Sequence, residues 1–523
     1  MIRDKIKKIL QDLFPEEKIV IDYVPADKKG DYSTNIAMRL AAKKSTNPLR
    51  LADDIAKKID TPIINETIIY PPGFINFVLN PEYLKENFRK NEKCNIGQGI
   101  KINVEFVSVN PTGPINIVNG RAAAFGDALV RLLNYVGFNA DAEYYINDSG
   151  KQIDLLAESI RQRMNQIEGK AYSIPEDGYH GEYLIPIARH FYNEKFFEIE
   201  KIKTKAVDHF INQHQTMLHN FRVNFKNWIR ESEIRNKGYV EKVLKIFKEK
   251  GLLFEQDNAT YFKTTMFNDT RDRVIITKDG RYTYLLPDIA YHLNKIERGY
   301  DRLVTILGPD HLGQMGSLYA GLKALDYPAN ILKIIIVQEV KLKKDGVYIS
   351  MSKRSGTFIA LEELLTKIPV DVIRFFFLMR SSSQHLDFDL DLARTVSEVN
   401  PVYYVQYAYA RIMSIIRYAQ EQGLNIRENE TLNKIKEKEE FDLIKYVLRF
   451  EEIVEDAVDN LEPFMLTYYL IELSRLFHYF YQKHRVVGDN KELTSARLFL
   501  INRTAQTLKT GMELLGCSCP EMM

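Results

Sequence analysis

Asn110-Pro111-Thr112-Gly113-Pro114 is the stretch around which the chemistry of this chain gathers. Two prolines remove backbone donors and the glycine permits an irregular turn, so neither a strand nor a helix runs through it. Upstream, Ile102, Val104, Phe106 and Ser108 alternate with Asn103, Glu105 and Val107, the period of a strand. Downstream, Phe125, Leu129, Leu132, Leu133 and Val136 recur at helical spacing. A strand, a tight loop and a helix whose N-terminus turns back over the strand end can bind phosphate, through free N–H groups and a partial positive charge. Asn116 and Asn119 carry amides there that can donate to a phosphate. Far along the chain, Ser350-Met351-Ser352-Lys353-Arg354-Ser355-Gly356 places a lysine on a glycine-ended loop, where its charge can hold a triphosphate. Asp310 and His311 follow the apolar run 302–307, at the strand end where ligands of open parallel sheets sit. Tyr284 and Asp288, four apart, share one face if their segment is helical.

The elements that must position these residues form an α/β organisation, a Rossmann-type parallel sheet flanked by two smaller domains. Residues 1–98 read as a small N-terminal α/β domain, in which Gly30-Asp31-Tyr32-Ser33-Thr34-Asn35 precedes a helix that Ser33 or Thr34 could cap. Residues 99–386 hold the parallel sheet, interrupted at about 153–270 by a helical, strongly charged insertion. The second half of the sheet begins near 273, passes an Asp279-Gly280 hairpin signal and includes apolar runs at 302–307 and 331–337. From 387 to 523 the pattern is helical throughout, and the tyrosines near 403–409 suit either core packing or stacking on unpaired bases.

Composition narrows the function classes. A length of 523 residues suggests three or four domains, and a net charge of +2 gives no overall field for nucleic acid, so any such contact is local. Cys94, Cys517 and Cys519 make neither a disulfide framework nor a zinc array, which points to the cytoplasm. Residues 1–14 form a charged amphipathic helix rather than a signal sequence, and no apolar run reaches membrane-spanning length, so no membrane partner is expected. The six histidines between 180 and 292 lack metal-ligand spacing, so no tightly bound protein metal is expected. The glycine-rich and His/Cys patterns of dinucleotide and metal enzymes are not present either.

Read together, these blocks resemble the arginyl-tRNA synthetases, class I enzymes in which Asn-Pro-Thr-Gly-Pro precedes a tetrapeptide of the His-Ile-Gly-His type. The resemblance extends to 143–152, to Gly178-Tyr179-His180-Gly181-Glu182-Tyr183, to 350–356 as a Lys-Met-Ser-Lys-type loop, to 400–411 and to the C-terminus. It implies an ATP-dependent arginine–tRNA ligase with tRNA(Arg) and arginine as partners, Mg2+ as the counter-ion of ATP, and a monomer. The N-terminal domain would touch the elbow of tRNA and the C-terminal one its anticodon. By the resemblance Glu105, Asn110, Tyr284 and Asp288 contact arginine. Pro111, Thr112, Gly113, Val118, Gly120, Asp310, His311, Met351, Ser352 and Lys353 contact ATP, and Asn116, Asn119 and Lys353 carry the catalytic role.

The chain departs from the family where ATP is handled. Asn116 and Asn119 stand where the family has histidines, Val118 where it has glycine, and Ser350 where the loop has its first lysine. Asparagines can donate but cannot carry charge, and valine adds a branched side chain beside the expected adenine. Two readings follow, a ligase with a drifted signature or a catalytically impaired paralogue that binds arginine or tRNA in a regulatory role.

Overall fold

In the computed structural model, which describes residues 1–25, 27–90, 92–349, 360–424 and 432–523, the core is a five-stranded parallel sheet. Its spatial order is Leu332–Ile336, Arg302–Leu307, Lys101–Glu105, Asn139–Ile146, Asn227–Arg230. The chain starts in the centre, moves outward through 139–146 to 227–230, then returns to the other side for 302–307 and 332–336. The order therefore reverses between Lys101–Glu105 and Arg302–Leu307, and a crevice opens beyond the carboxyl ends of these two strands.

The central strand stops earlier than its alternation suggests. It ends at Glu105, because Val107 (φ 69°) and Ser108 (φ 42°) adopt left-handed backbone. For a β-branched valine this costs on the order of 1–3 kcal/mol. The bend is held by the Ser108 hydroxyl, which donates to Glu105 Oε1 at 3.0 Å and accepts the Tyr145 N–H at 3.1 Å. Helix Ile117–Tyr135 then packs back on the strand. Gly126 makes this possible, since a Cβ there would lie 2.2 Å from the Phe106 ring.

Two boundaries differ from the sequence reading. The region 153–270 is not one helical insertion: Asn227–Arg230 pairs in parallel with Asn139–Ile146 as the edge of the central sheet. Helices Lys151–Glu168, Leu184–Asn193 and Ile199–Asn220 form a bundle before it, and an antiparallel sheet of Leu253–Gln256, Ala259–Phe262 and Arg273–Ile276 follows it. Nor is the chain helical from 387, because Leu386–Asp389 pairs in parallel with Val340–Lys344, itself in a hairpin with Val347–Ile349. Both missed strands are short and carry charged residues, so their periodicity is faint.

The terminal domains are joined to each other. A four-stranded antiparallel sheet with its helices makes the N-terminal domain, and among the described residues helices Pro401–Glu421, Lys438–Leu448, Phe450–Asp459, Phe464–Lys483 and Lys491–Leu514 make the C-terminal one. Glu452, buried in helix Phe450–Asp459, accepts from the Arg3 N–H (2.8 Å) and the hydroxyls of Tyr23 (2.9 Å) and Tyr32 (3.0 Å). Arg3 also pairs with Glu455 and Asp456, each at 2.7 Å, and Lys445 pairs with Asp31 at 2.8 Å. The 30–35 stretch is thus part of a strand and an interdomain seam. Ser33 donates to Asn76, and the Thr34 hydroxyl donates to the Val20 carbonyl and accepts the Ile36 N–H at 3.4 Å, while Asn35, at the N-cap position, makes no side-chain cap bond.

A second seam fastens the C-terminus to the catalytic layer. Arg374, fully buried, donates to the Leu515 and Phe221 carbonyls at 3.0 Å and pairs with Asp127 on helix Ile117–Tyr135. Arg131 also holds Asp127, at 2.7 Å, but from a partly exposed position. Removing one partner of a buried pair leaves an under-compensated charge. Arg374→Met should therefore destabilise the protein by about 3–5 kcal/mol, and adding Asp127→Asn should restore part of that loss. The single tryptophan, Trp228, stacks on Tyr144 in the central sheet and reports this unfolding by fluorescence in urea.

Candidate active site

A cavity of about 840 Å³ fills the crevice at the reversal of strand order. Its walls include Glu105, Asn110, Asn116, Val118, Asn119, Tyr284, Asp288, Asp310 and His311, so residues from three separate stretches, 105–119, 284–288 and 310–311, converge there. Pro111, Thr112, Gly113 and Gly120, expected to touch ATP, are not on that wall. Gly120 is buried against Leu361 and Phe377 and lets helix Ile117–Tyr135 approach them. Thr112 and Gly113 form the outer side of the loop: Tyr183 donates to the Thr112 carbonyl at 2.9 Å and His214 Nε2 lies 2.8 Å from the Gly113 carbonyl. Met351, Ser352 and Lys353, with Ser350, lie outside the described residues.

One end of the cavity is a helix N-terminus. Asn116 is its N-cap, and its Oδ1 accepts the Asn119 N–H at 2.9 Å. The amide of Val118 lacks an intrahelical partner, as first-turn amides do, and can donate to an anion, whereas the backbone around Asn116 is engaged in an antiparallel bridge with Ala360. Because Oδ1 is committed to the cap, only the amide NH2 of Asn116 is available to donate outward. The cap is therefore a second role for this asparagine that the spacing alone did not reveal. Val118 and Asn119 are half-buried on the cavity wall.

The other end is acidic. Glu105, at the end of the central strand, is bound at Oε2 by Lys295 Nζ at 2.6 Å; Lys295 is fully buried and lies 4.2 Å over the Tyr291 ring. Below it, Glu143 takes two bonds from Arg298 at 2.7 Å and one from the Tyr291 hydroxyl at 2.6 Å. Glu231, 4 % exposed, receives Arg235 Nε at 2.9 Å and the Tyr145 hydroxyl at 3.1 Å. Asp288 sits in the first turn of helix Leu285–Glu297, with Tyr284 at its N-cap position. Burial, then the neighbouring Glu105 and Glu231, push its carboxyl up to about 8, and Lys295 offsets this only in part. His292 is held neutral by burial, its Nδ1 2.8 Å from the Asp288 carbonyl oxygen. Glu105 and Glu231 each have a cation; Asp288 is the carboxyl whose charge awaits one.

Sequence reasoning missed Glu231 and Lys295. Lys295 had a signal, since Tyr284, Asp288, His292 and Lys295 step along one helical face. Glu231 had none, being an acid in a charged segment assigned to an insertion.

The comparisons with known proteins agree along the whole chain. Residues 1–79 match the arginyl tRNA synthetase N-terminal domain, 83–369 the catalytic domain of class I (R) tRNA synthetases, and 405–523 the DALR anticodon binding domain. The chain belongs to the arginyl-tRNA synthetase family. A protein of Listeria welshimeri named arginine–tRNA ligase is 41% identical over 520 residues, covering 96% of this chain and 94% of that one. One of Bacillus subtilis with the same name is 39% identical, covering 100% and 98%. The solved structure of Thermus thermophilus arginyl-tRNA synthetase has the same fold, with a TM-score of 0.83 at 21% identity over 100% of both chains.

A testable consequence concerns protons. In the free protein Asp288 is neutral below about pH 8, so a cation binding beside it should expel close to one proton at pH 6–7. Calorimetry of arginine binding in buffers of different ionisation enthalpy measures this, and Asp288→Asn should abolish it. The raised carboxyl also makes the folded state bind more protons than the unfolded one. Its contribution to stability is full below pH 4 and is lost as pH rises through about 8. The melting temperature of Asp288→Asn relative to the unaltered protein should therefore climb from pH 4 to pH 8.

Proposed function

We propose that this protein is an arginine–tRNA ligase that joins arginine to tRNA(Arg) at the expense of ATP, with both small substrates in the one cavity described above. The observation that carries the reading is the polarity of that cavity: an unpaired carboxyl at one end and a capped helix N-terminus at the other. A guanidinium is a planar fork of donors without an acceptor, and Asp288, with Tyr284 beside it, suits that group. Glu105, neutralised by Lys295, shapes the same end, and Asn110 lies at the rim. Phosphate suits the amide of Val118 and the NH2 groups of Asn116 and Asn119. With the side chain at Asp288, the carboxylate of arginine points toward the helix end. There one of its oxygens attacks the α-phosphorus of ATP, the bond to the β-phosphate breaks, and pyrophosphate leaves. A 3′-terminal ribose hydroxyl of tRNA then attacks the carbonyl carbon of the adenylate, gives up its proton, and AMP departs.

Asp310 and His311, on the short 3-10 turn Pro309–Gln314, face the nucleotide region in this reading, and Lys353 is assigned to ATP by the resemblance alone. Mg2+ would enter with ATP as part of that substrate. A monomer is part of this reading, and the three free cysteines suit a reducing cytoplasm. The terminal domains, fastened through Glu452, are assigned to tRNA. On the C-terminal one, Tyr409 is core, whereas Tyr403 and Tyr407 stack (6.0 Å between centroids) beside His478. The impaired-paralogue reading is not favoured, since the relatives named as ligases match end to end.

The test is charging of tRNA(Arg) transcript with labelled arginine, by the protein and its revertants. Val118→Gly should lower KM for ATP several-fold with little change in kcat, because it removes bulk rather than adding a transition-state contact. Asn119→His should raise kcat, by up to roughly a hundredfold if the new donor matches a typical transition-state one. Asn116→His should exchange a neutral donor for one that can carry charge but lose the cap, at a cost of about 1 kcal/mol in stability. No arginine-dependent pyrophosphate exchange, with or without tRNA(Arg), would overturn the assignment.

A further inference from the structure

We propose that Tyr144 and His214 are positioning residues for the ligase reaction, a brace of shared protons that fixes the 109–113 loop from outside and so sets the two ends of the cavity in line. This rests on the function proposed above and adds to it two side chains that stand behind the cavity wall. The loop joins the strand that ends at Glu105 to the helix capped by Asn116, so its path sets the distance between the arginine end and the phosphate end. The Tyr144 hydroxyl, from strand Asn139–Ile146, meets Val109 at both the N–H (3.2 Å) and the carbonyl oxygen (3.0 Å). His214, from helix Ile199–Asn220, brings Nε2 to within 2.8 Å of the Gly113 carbonyl oxygen. Between these two points Tyr183 donates to the Thr112 carbonyl, so close that a Cβ on Gly113 would lie 3.2 Å from the Tyr183 hydroxyl.

The two side chains are also bonded to each other, Tyr144 Oη lying 3.0 Å from His214 Nδ1, and together they are one proton short. The Gly113 carbonyl is only an acceptor, so Nε2 carries the imidazole proton and Nδ1 is left to accept. The single Tyr144 hydroxyl proton then faces two acceptors, Nδ1 and the Val109 carbonyl. Three links share two protons while His214 is neutral, and an imidazolium would supply the third. Burial holds the His214 pKa below the ordinary histidine value, with the Gly113 carbonyl opposing it only in part. Burial likewise keeps the Tyr144 hydroxyl protonated. His214 is 1 % exposed; its neighbours one turn away on its own helix, Phe210, Ile211, Met217 and Leu218, are apolar, and the titratable group it meets from the sheet is Tyr144. Among the described residues neither side chain pairs with a carboxylate or a cation, so burial and these bonds alone set their charge. Trp228 stacks on Tyr144 at 4.4 Å and Phe225 meets it edge-on at 5.3 Å, which fixes the direction of the hydroxyl.

The experiment uses the full chain. His214→Phe keeps a buried ring and removes both nitrogens, whereas His214→Gln keeps a donor for the Gly113 carbonyl and cannot take up a proton. Turnover in charging tRNA(Arg) is normalised to the arginine-binding sites counted by calorimetry. His214→Phe should lower kcat roughly ten- to hundredfold, the loss that a misplaced reacting geometry brings. Arginine affinity should stay within about threefold, because Asp288 and Glu105 stand outside the loop. His214→Gln should restore kcat to within about threefold of the unaltered protein. Tyr144→Phe, which deletes a single hydroxyl and keeps the stacked ring, should lower kcat severalfold, and it decides alone if His214→Phe does not fold. Trp228, the single tryptophan, gives a reading independent of turnover. Protonation of His214 places a charge beside Tyr144, so the Trp228 fluorescence should step as pH falls below about 6.5, and His214→Gln should lack the step. A step that survives in His214→Gln, or none in the unaltered protein before acid unfolding, would overturn the shared proton. An unchanged kcat in Tyr144→Phe would overturn the brace, as would an equal loss in Ile202→Val, a buried control on the same helix. Failure of the unaltered protein to charge tRNA(Arg) would instead overturn the functional assignment beneath it, with the fluorescence step still to be read.

Discussion

The arrangement of the catalytic layer depends on balancing negative charge in a place with little water. Taking a carboxylate out of water costs several kcal/mol unless a cation or several donors replace the lost hydration. The protein does this in tiers behind the cavity. Arg298 and the Tyr291 hydroxyl satisfy Glu143, Lys295 satisfies Glu105, and Arg235 satisfies Glu231. Aromatic rings separate the tiers, with Tyr145 on Tyr291 and the Lys295 ammonium over Tyr291. Helix Leu285–Glu297 supplies Asp288, Tyr291, His292 and Lys295, so its rotation about its own axis is set by this balance as much as by apolar packing. Balance that is complete except at one carboxyl defines the charge of the missing ligand more sharply than shape does.

The altered signature looks different once Asn116 is seen as a cap. Asparagine is among the best residues at a helix N-cap. Where the resemblance expects a histidine, this side chain therefore favours the local helix and brings no positive charge toward phosphate. Val118 adds apolar surface at the same end. The substitutions trade chemical assistance for order at the helix start, and the neighbouring Arg121 keeps that start fixed by donating to the carbonyls of Gln338, Ser381 and Gln384.

Much of this was legible in the sequence for physical reasons that can be named. The runs 302–307 and 331–337 are continuous apolar segments, and buried parallel strands have that pattern. The 117–135 helix shows an apolar stripe. The strand 227–230 was not legible, because its four residues, Asn-Trp-Ile-Arg, end in polar groups and sit among charged helices. The early end of the central strand at Glu105 depends on left-handed Val107, a conformation that no local preference favours. Of the acidic end, Glu105 and Asp288 could be named from the resemblance, but their different states could not. Whether a carboxylate has a cation depends on Lys295, 190 positions away from Glu105.

The seam at Glu452 bears on how the chain is made. Tyr32 and Glu452 are 420 positions apart, and the acceptors of Arg3, Tyr23 and Tyr32 arrive only with the last domain. At about 5–20 residues per second, the ribosome takes roughly 20–80 seconds to cover that interval. During it the N-terminal domain stands with a polar, tyrosine-bearing edge turned to solvent, as a nascent module with an unfinished border. Closure of the border therefore waits on helix Phe450–Asp459, because a chain truncated before residue 452 lacks the carboxylate that closes it.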